Sequence, residues 1–95
     1  MSRLILTGYI QVPPDDLEAV RAELPNHIEL TRAEAGCLVF EVLQDNDDPY
    51  RFTVYEEFAD RASFEHHQAR VKHSRWGAIT SRVARHYEIN ESNDA

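Results

Sequence analysis

The sequence predicts a single α+β domain whose elements follow one another in the order β-α-β-β-α-β. Three patterns predict this order: alternating apolar residues in the strand segments, a helical spacing of apolar residues after the first strand, and a short turn-rich link between the second and third strands. The chain has 95 residues, which suits one domain. We expect an ordered core over about residues 4–89 and a frayed polar tail over residues 90–95.

The first strand is predicted over residues 4–12, where successive side chains alternate between two faces. One face carries Leu4, Leu6, Ile10 and Val12, and the other carries Ile5, Thr7, Tyr9 and Gln11. Two prolines end the strand because proline donates no ladder hydrogen bond.

A helix follows, opened by proline and two acidic residues that suit a helical first turn. Apolar residues then recur at helical spacing, at Leu17, Val20, Leu24 and Ile28. Pro25 lies inside this stripe, and the residue before a proline avoids the α region. We therefore expect a kink or a break near Leu24, with a second helical piece running to about Glu34 and ending at Gly36.

Residues 37–44 and 51–58 are the second and third predicted strands. The link between them, residues 45–49, is rich in Asp, Asn and Pro and predicts a turn. A link this short joins antiparallel neighbours, so the two strands are expected to form a hairpin.

Asp60 is the predicted N-cap of a helix that starts at Arg61 and turns Phe64, His67 and Val71 inward. A short helix over about residues 74–81 is expected to bury its apolar residues. The last strand is predicted over residues 83–89.

This order of elements is the ferredoxin-like arrangement, with an antiparallel four-stranded sheet. The helices cover only one face of such a sheet. Because the other face still carries Ile5 and Tyr9, a second copy of the sheet would be needed to cover it. The sequence therefore predicts a homodimer in which two sheets close a dimeric α+β barrel.

Charge and composition exclude several classes of function. Acidic residues outnumber basic ones by 17 to 10, and the net charge of -7 argues against nucleic acid as a partner. No apolar stretch approaches the length of a membrane span, and no signal peptide is evident, so we expect a cytoplasmic protein without a membrane partner. The single cysteine, Cys37, excludes an intrachain disulfide and is expected to be a buried small hydrophobe.

Three segments carry a resemblance to a known family. Residues 34–42 (EAGCLVFEV) resemble the second-strand motif E-x-G-C-L-x-F-E-V of the antibiotic biosynthesis monooxygenase family. Residues 52–58 (FTVYEEF) look like its third-strand motif, which ends in a tyrosine and a glutamate. Residues 60–69 (DRASFEHHQA) are similar to its following helix, in which a histidine comes three residues after a phenylalanine.

The resemblance implies a dimer of ferredoxin-like subunits with a small-molecule pocket between the helices and the sheet of each. Some members oxidise aromatic polyketides or quinols with dioxygen and need no metal or flavin. Others degrade haem, isomerise small metabolites, or have no known role. The resemblance therefore implies a pocket without fixing the reaction.

His67 and Glu56 are the candidate catalytic residues. His67 lies on the predicted inward stripe of its helix, where an imidazole needs a partner and where its near-neutral pKa suits a general base. Glu56 shares strand parity with apolar residues, so it would point inward and could orient His67. For both residues the alternative is a purely structural role, as a hydrogen-bonded core histidine and a buried ion pair.

Four aromatic residues are candidate walls of a pocket for a planar ring, with ordinary core packing as the alternative for each. They are Trp76, Tyr9, Phe40 and Tyr55. Tyr9 is the most favoured of them by position, because its hydroxyl could also bond a substrate.

The sequence favours neither a metal nor another cofactor. No two histidines have the H-x-x-x-H spacing, and the adjacent pair His66 and His67 points to different faces of a helix. The haem-degrading branch of the family uses an asparagine on the first strand and a histidine on the last helical region, and both are missing here.

The leading hypothesis is a cofactor-independent monooxygenase that oxidises a quinol-like or polyphenolic aromatic molecule with dioxygen, with His67 as base and Glu56 as its orienter. One alternative is an isomerase, epimerase or lyase of a small metabolite in the same pocket. The other is a non-catalytic dimeric module for binding or stress response, which an empty, sealed pocket would favour.

Overall fold

The computed structural model describes the backbone of residues 2–93 and the side chains of residues 3–91. Its elements in chain order are β1 (Ser2–Gln11), a 3₁₀ turn (Pro14–Asp16), α1 (Leu17–Arg32), β2 (Cys37–Gln44), β3 (Arg51–Phe58), α2 (Arg61–Lys72), α3 (Arg75–Ile79) and β4 (Ala84–Asn93). The strands form one antiparallel sheet in the order β2-β3-β1-β4. The predicted ferredoxin-like α+β fold is confirmed.

The hydrophobic core lies between the three helices and one face of the sheet. β1 and β3 contribute alternate residues such as Leu4, Leu6, Phe52 and Phe58, all at most 1% exposed. These side chains form one buried cluster with helix residues such as Val20. Their burial holds the helices on the sheet. None of the helices formed by the described residues is long and apolar enough to cross a bilayer.

Helix α1 runs without interruption through Pro25, so the predicted break near Leu24 is wrong. Pro25 is exposed, and the carbonyl that it leaves without an intrahelical partner belongs to Arg21, which is also exposed. Water can satisfy that carbonyl. Because Val20 and Thr31 on either side of Pro25 are buried against the core, tertiary packing holds the helix together across the proline.

The starts of α2 and α3 follow ordinary capping rules. The Asp60 carboxylate accepts a hydrogen bond from the Ser63 N–H at 2.7 Å, as the predicted N-cap requires. Ser74 caps α3 in the same way by accepting from the Gly77 N–H at 3.1 Å.

Strand β4 is longer than predicted, because residues 90–93 pair with the start of β1 rather than fray. Backbone hydrogen bonds make this pairing, so it does not need apolar side chains. Residues 94 and 95 of the predicted tail lie outside the described residues. Gly8 of β1 has a φ of +152°, and a Cβ there would come within 2.0 Å of the His86 carbonyl oxygen. Glycine therefore permits the close approach of β4 to β1.

The β4 residues that pair with inward-facing residues of β1 are exposed, because no helix covers this edge of the sheet. Tyr87 and Ile89 lie opposite Gly8 and Leu6. They are 38% and 47% exposed respectively. The side chains of β4 thus lie at the margin of the core.

Candidate functional site

A small cavity of about 30 Å³ lies between the sheet and helices α1 and α3. Its walls are apolar except where His27, Glu56, Thr80, Arg85 and Tyr87 contribute. The volume is enough for a water molecule and far below the several hundred Å³ of a typical ligand pocket. Two buried titratable residues, His27 and Glu56, line it.

Glu56 projects from the centre of β3 into this cavity, as its strand parity predicted. It is 6% exposed, and its Oε1 atom has no hydrogen-bond partner. Burial, reinforced by the negative charge of Glu34, raises the pKa of Glu56 to about 7. A carboxyl group with this pKa exchanges protons readily near neutral pH.

His67 lies behind Glu56, away from the cavity lining, with its ring between Phe58 and Phe40. Its Nδ1 atom is 3.0 Å from Oε1 and 3.2 Å from Oε2 of Glu34. Its Nε2 atom is 3.9 Å from Glu56 Oε1, which is beyond hydrogen-bond distance. The carboxylate hydrogen-bonded to His67 is therefore Glu34, while Glu56 lies at ion-pair distance from the other ring nitrogen, and its role as orienter stays a prediction.

Glu34 is fixed in place by helix α2. The Arg70 guanidinium donates to Oε2 of Glu34 and also, at 3.0 Å, to the buried hydroxyl of Thr31. Because a carboxylate held by Arg can only accept from His67 Nδ1, the neutral imidazole carries its proton there. Its Nε2 lone pair then faces Glu56. Burial lowers the pKa of His67, although Glu34 opposes this effect.

His27 is a second buried imidazole, on the inward stripe of α1, and it lines the cavity directly. It is 4% exposed, and its Nδ1 atom has no hydrogen-bond partner. Its ring stacks on Trp76 with centroids 4.5 Å apart, and Phe40 meets it edge-on at 5.3 Å. Burial, with smaller contributions from His67 and Arg70, lowers the pKa of His27 to about 3, so the ring is neutral.

Two residues of this site, Glu34 and His27, were not predicted. A signal for His27 was present, because it falls seven residues after Val20 and four before Thr31 on the buried stripe of α1. Glu34 lies beyond the end of α1, where neither helical nor strand periodicity indicates the direction of a side chain.

Arg85 and Tyr87 of β4 stand at the rim of the cavity. Arg85 donates to the Thr80 hydroxyl at 3.0 Å and is thereby held across the end of α3. Burial around the Tyr87 hydroxyl and, to a smaller extent, the charge of Glu56 raise the pKa of Tyr87 to about 12. The residue as a whole is 38% exposed. Tyr87 therefore remains a neutral hydrogen-bond donor at the mouth.

The four predicted aromatic walls divide between the two faces of the sheet. Phe40 and Trp76 line the cavity. Tyr9 and Tyr55 lie on the opposite, helix-free face, so the expectation that all four share one pocket is wrong. Tyr9 stacks on His86 at 4.6 Å, and the Arg51 guanidinium lies 4.1 Å above its ring. The strand alternation that turns Glu56 inward turns its neighbour Tyr55 outward.

A larger groove of about 560 Å³ runs along the outer side of α1, beside the end of the sheet. Its floor is apolar, with Leu24, Ile28 and Phe52 among its residues. Neither of the two unpaired buried polar atoms belongs to a residue that lines it. Within the part of the chain that the structure describes, no three His, Cys, Asp or Glu side chains are arranged to hold a metal ion.

Comparison with known proteins agrees with the fold and with the sequence motifs. The family model described as antibiotic biosynthesis monooxygenase matches residues 3–78. The crystal structure of an antibiotic biosynthesis monooxygenase has a TM-score of 0.75 at 24% identity, covering 100% of this chain and 99% of that one, which is a likeness of fold alone. A crystal structure of a Pseudomonas aeruginosa protein has a TM-score of 0.73 at 28% identity, and the match covers 100% of this chain and 96% of that one.

One curated relative, an uncharacterised protein of Synechocystis sp., is 30% identical over 64 residues. The match covers 67% of this chain and 44% of the relative, so the chain spans less than half the length of that protein.

Proposed function

Because the chain belongs to the antibiotic biosynthesis monooxygenase family, we propose that it oxidises a small quinol-like or polyphenolic molecule with dioxygen, using no metal or flavin. The observation that carries this proposal is the unpaired carboxyl of Glu56, which faces the cavity with a pKa of about 7. Substrate and reaction both belong to the proposal.

Glu56 is proposed as the general base, a role that the sequence had favoured for His67. Glu56 touches the cavity, whereas His67 lies behind it and is 3.9 Å from Glu56 at its nearest nitrogen. Removing the proton of a phenolic hydroxyl creates an electron-rich phenolate, which can pass an electron to dioxygen. A base with a pKa near 7 is half ionised at neutral pH and suits this step.

For a hydroquinone, the atoms balance without another reductant. Hydroquinone and dioxygen give a hydroxyquinone and water: one oxygen atom bonds to a ring carbon, and the other leaves as water with two substrate hydrogens. The ring supplies all the electrons that dioxygen accepts. Glu56 would take the first proton.

His67 would then be a positioning residue that acts through Glu56. With its Nδ1 proton held by Glu34, its Nε2 lone pair faces Glu56 Oε1 across 3.9 Å. When Glu56 becomes protonated, a small side-chain movement would let it donate to this lone pair. The pair would hold the proton away from the anionic substrate.

The cavity must widen to admit an aromatic ring. Its mouth is formed by Arg85 and Tyr87, which are exposed residues on an edge strand without helical cover. Rotation of these two side chains would enlarge the opening without disturbing the core. We propose that substrate enters along this edge.

We also propose that the protein is a homodimer joined through the helix-free face of the sheet. Support comes from the apolar and aromatic side chains on that face, including Ile5, Tyr9 and Val39. These side chains are only partly buried within one subunit. A second copy would cover them.

The test is oxygen uptake with a panel of hydroquinones, measured between pH 5 and pH 9. The rate is expected to rise as Glu56 ionises and to level off above about pH 7. Glu56→Gln should remove at least 99% of the activity, within the range of about 10²–10⁴-fold for loss of a general base. Glu65→Gln, at an exposed carboxylate on helix α2, is the control and should be fully active.

No oxygen uptake with any quinol, or equal rates for Glu56→Gln and the wild type, would refute the proposal. The neighbouring carboxyl and imidazole groups also favour a second candidate, an isomerase or epimerase that needs acid–base groups and no oxygen. Turnover that persists under anaerobic conditions would identify it. The small cavity favours a third, a non-catalytic binding module, which absence of any turnover would support.

A further inference from the structure

Two buried polar atoms, on residues that line the same cavity, have no hydrogen-bond partner. They are His27 Nδ1 and Glu56 Oε1, on residues that are 4% and 6% exposed. Buried polar groups are nearly always hydrogen-bonded, because leaving one unpaired costs free energy. A molecule with two polar groups that entered the cavity could pair with both residues.

The orientation of His27 is fixed by packing rather than by hydrogen bonds at Nδ1. Trp76 is parallel to one face of the ring, with an interplanar angle of 5°, and Phe40 meets it at 81°. Both neighbours are at least nine-tenths buried. The imidazole is therefore held in position before a ligand arrives, which lowers the entropy lost on binding.

His27 and Glu56 offer different chemistry to a ligand. His27 is neutral, so its ring nitrogen can pair with a hydroxyl without competing for the proton. Glu56 becomes an acceptor when ionised. A ring that carries one hydroxyl satisfies only one of the two residues.

We propose that His27 is a specificity-determining residue that binds the second oxygen substituent of a dihydroxybenzene ring while Glu56 accepts from the first hydroxyl. This inference rests on the proposed function for the substrate class. Its consequence is selection: a molecule with a single hydroxyl leaves His27 Nδ1 unpaired and binds more weakly.

The test is anaerobic calorimetric titration of the wild type with phenol, catechol, resorcinol and hydroquinone. At least one diol is expected to bind about tenfold more tightly than phenol, as one additional buried hydrogen bond gives. The preferred diol reports the spacing between the two binding groups. Equal binding of all four ligands, or binding of none, overturns the inference without any variant.

His27→Phe keeps a ring against Trp76 and removes the nitrogen, so it should bind phenol and the diols equally well. His27→Asn places an amide nitrogen near the position of Nδ1 and should restore part of the preference. His66→Phe, at an exposed histidine, is the control and should behave as the wild type. A diol preference that survives in His27→Phe overturns the inference. If His27→Phe does not fold, absence of a diol preference in His27→Asn overturns it, because the amide should restore part of the preference.

These titrations contain no oxygen, so they separate this inference from the proposed function. Oxygen uptake that depends on Glu56, together with equal anaerobic binding of phenol and diols, would support the proposed monooxygenase activity and refute the proposed role of His27. A diol preference that depends on His27, without oxygen uptake, would support the proposed binding site and refute the proposed monooxygenase activity.

Discussion

Replacing Glu56 by Gln should make the protein more stable above neutral pH. The folded state raises the pKa of Glu56 from its ordinary value of 4.5 to about 7. Between these values the folded state holds a proton that the unfolded state has released. Stability therefore falls as the pH rises through this window, and the full penalty is present above about pH 7.

The size of the effect follows from the same values. Each pH unit over which the two states differ by one proton changes the free energy of unfolding by about 1.4 kcal/mol. The window from 4.5 to about 7 therefore corresponds to about 3 kcal/mol. Glutamine has nearly the same shape and stays neutral, so it avoids this penalty.

The assay is urea unfolding of wild type and Glu56→Gln at a series of pH values and at constant protein concentration. At about pH 4.5 the two proteins should have similar free energies of unfolding, and at pH 8 the variant should be more stable by about 3 kcal/mol. Glu65→Gln, at an exposed carboxylate on helix α2, should follow the wild-type curve at every pH. Parallel curves for wild type and Glu56→Gln would refute the idea that this buried carboxyl ionises at a cost.

Three further changes test other parts of the structure. Gly8→Ala should destabilise the fold by about 3 kcal/mol or more, because its Cβ would meet the His86 carbonyl at 2.0 Å; an unchanged melting temperature would contradict this contact. Asp60→Ala should cost about 1 kcal/mol in urea unfolding, through loss of the bond from Ser63, and Asp60→Asn should recover most of it. Between pH 6.5 and pH 4, the free energy of unfolding of the wild type should fall by about 3 kcal/mol more than that of His27→Phe. The folded state lowers the pKa of His27 from 6.5 to about 3, so the unfolded chain takes up the proton first. Equal acid sensitivity in the same unfolding assay would exclude a neutral buried imidazole.

Periodicity was sufficient to predict the strands and the inward residues of the sheet. The bounds of β2 and β3 were predicted correctly because turn-forming residues on both sides mark them. The inward direction of Glu56 followed from simple alternation along β3. At Pro25, by contrast, a local rule was overridden by packing on both sides of the proline, which sequence spacing alone does not measure.

The candidate site was only partly predictable, because it depends on contacts between distant segments. Helical spacing placed His67 in the interior, but its partner Glu34 lies 33 residues earlier in the chain. Strand parity put Tyr9 with Ile5 on the face that the helices leave uncovered, which by itself separates Tyr9 from a cavity on the helix side of the sheet. His27 lies on the same buried stripe of α1 as Val20 and Thr31, and this stripe continues through Pro25, where the sequence predicts a break.

Arg85 and Tyr87 place the proposed substrate entrance on an edge strand of the sheet. The outer hydrogen-bonding groups of β4 are free to pair with another strand, and the side chains of the same strand form the entrance to the interior. A strand that pairs with this edge would determine how far the side chains at the proposed entrance can move. The proposed turnover would then vary with protein concentration, even though the residues proposed to react all lie in one chain.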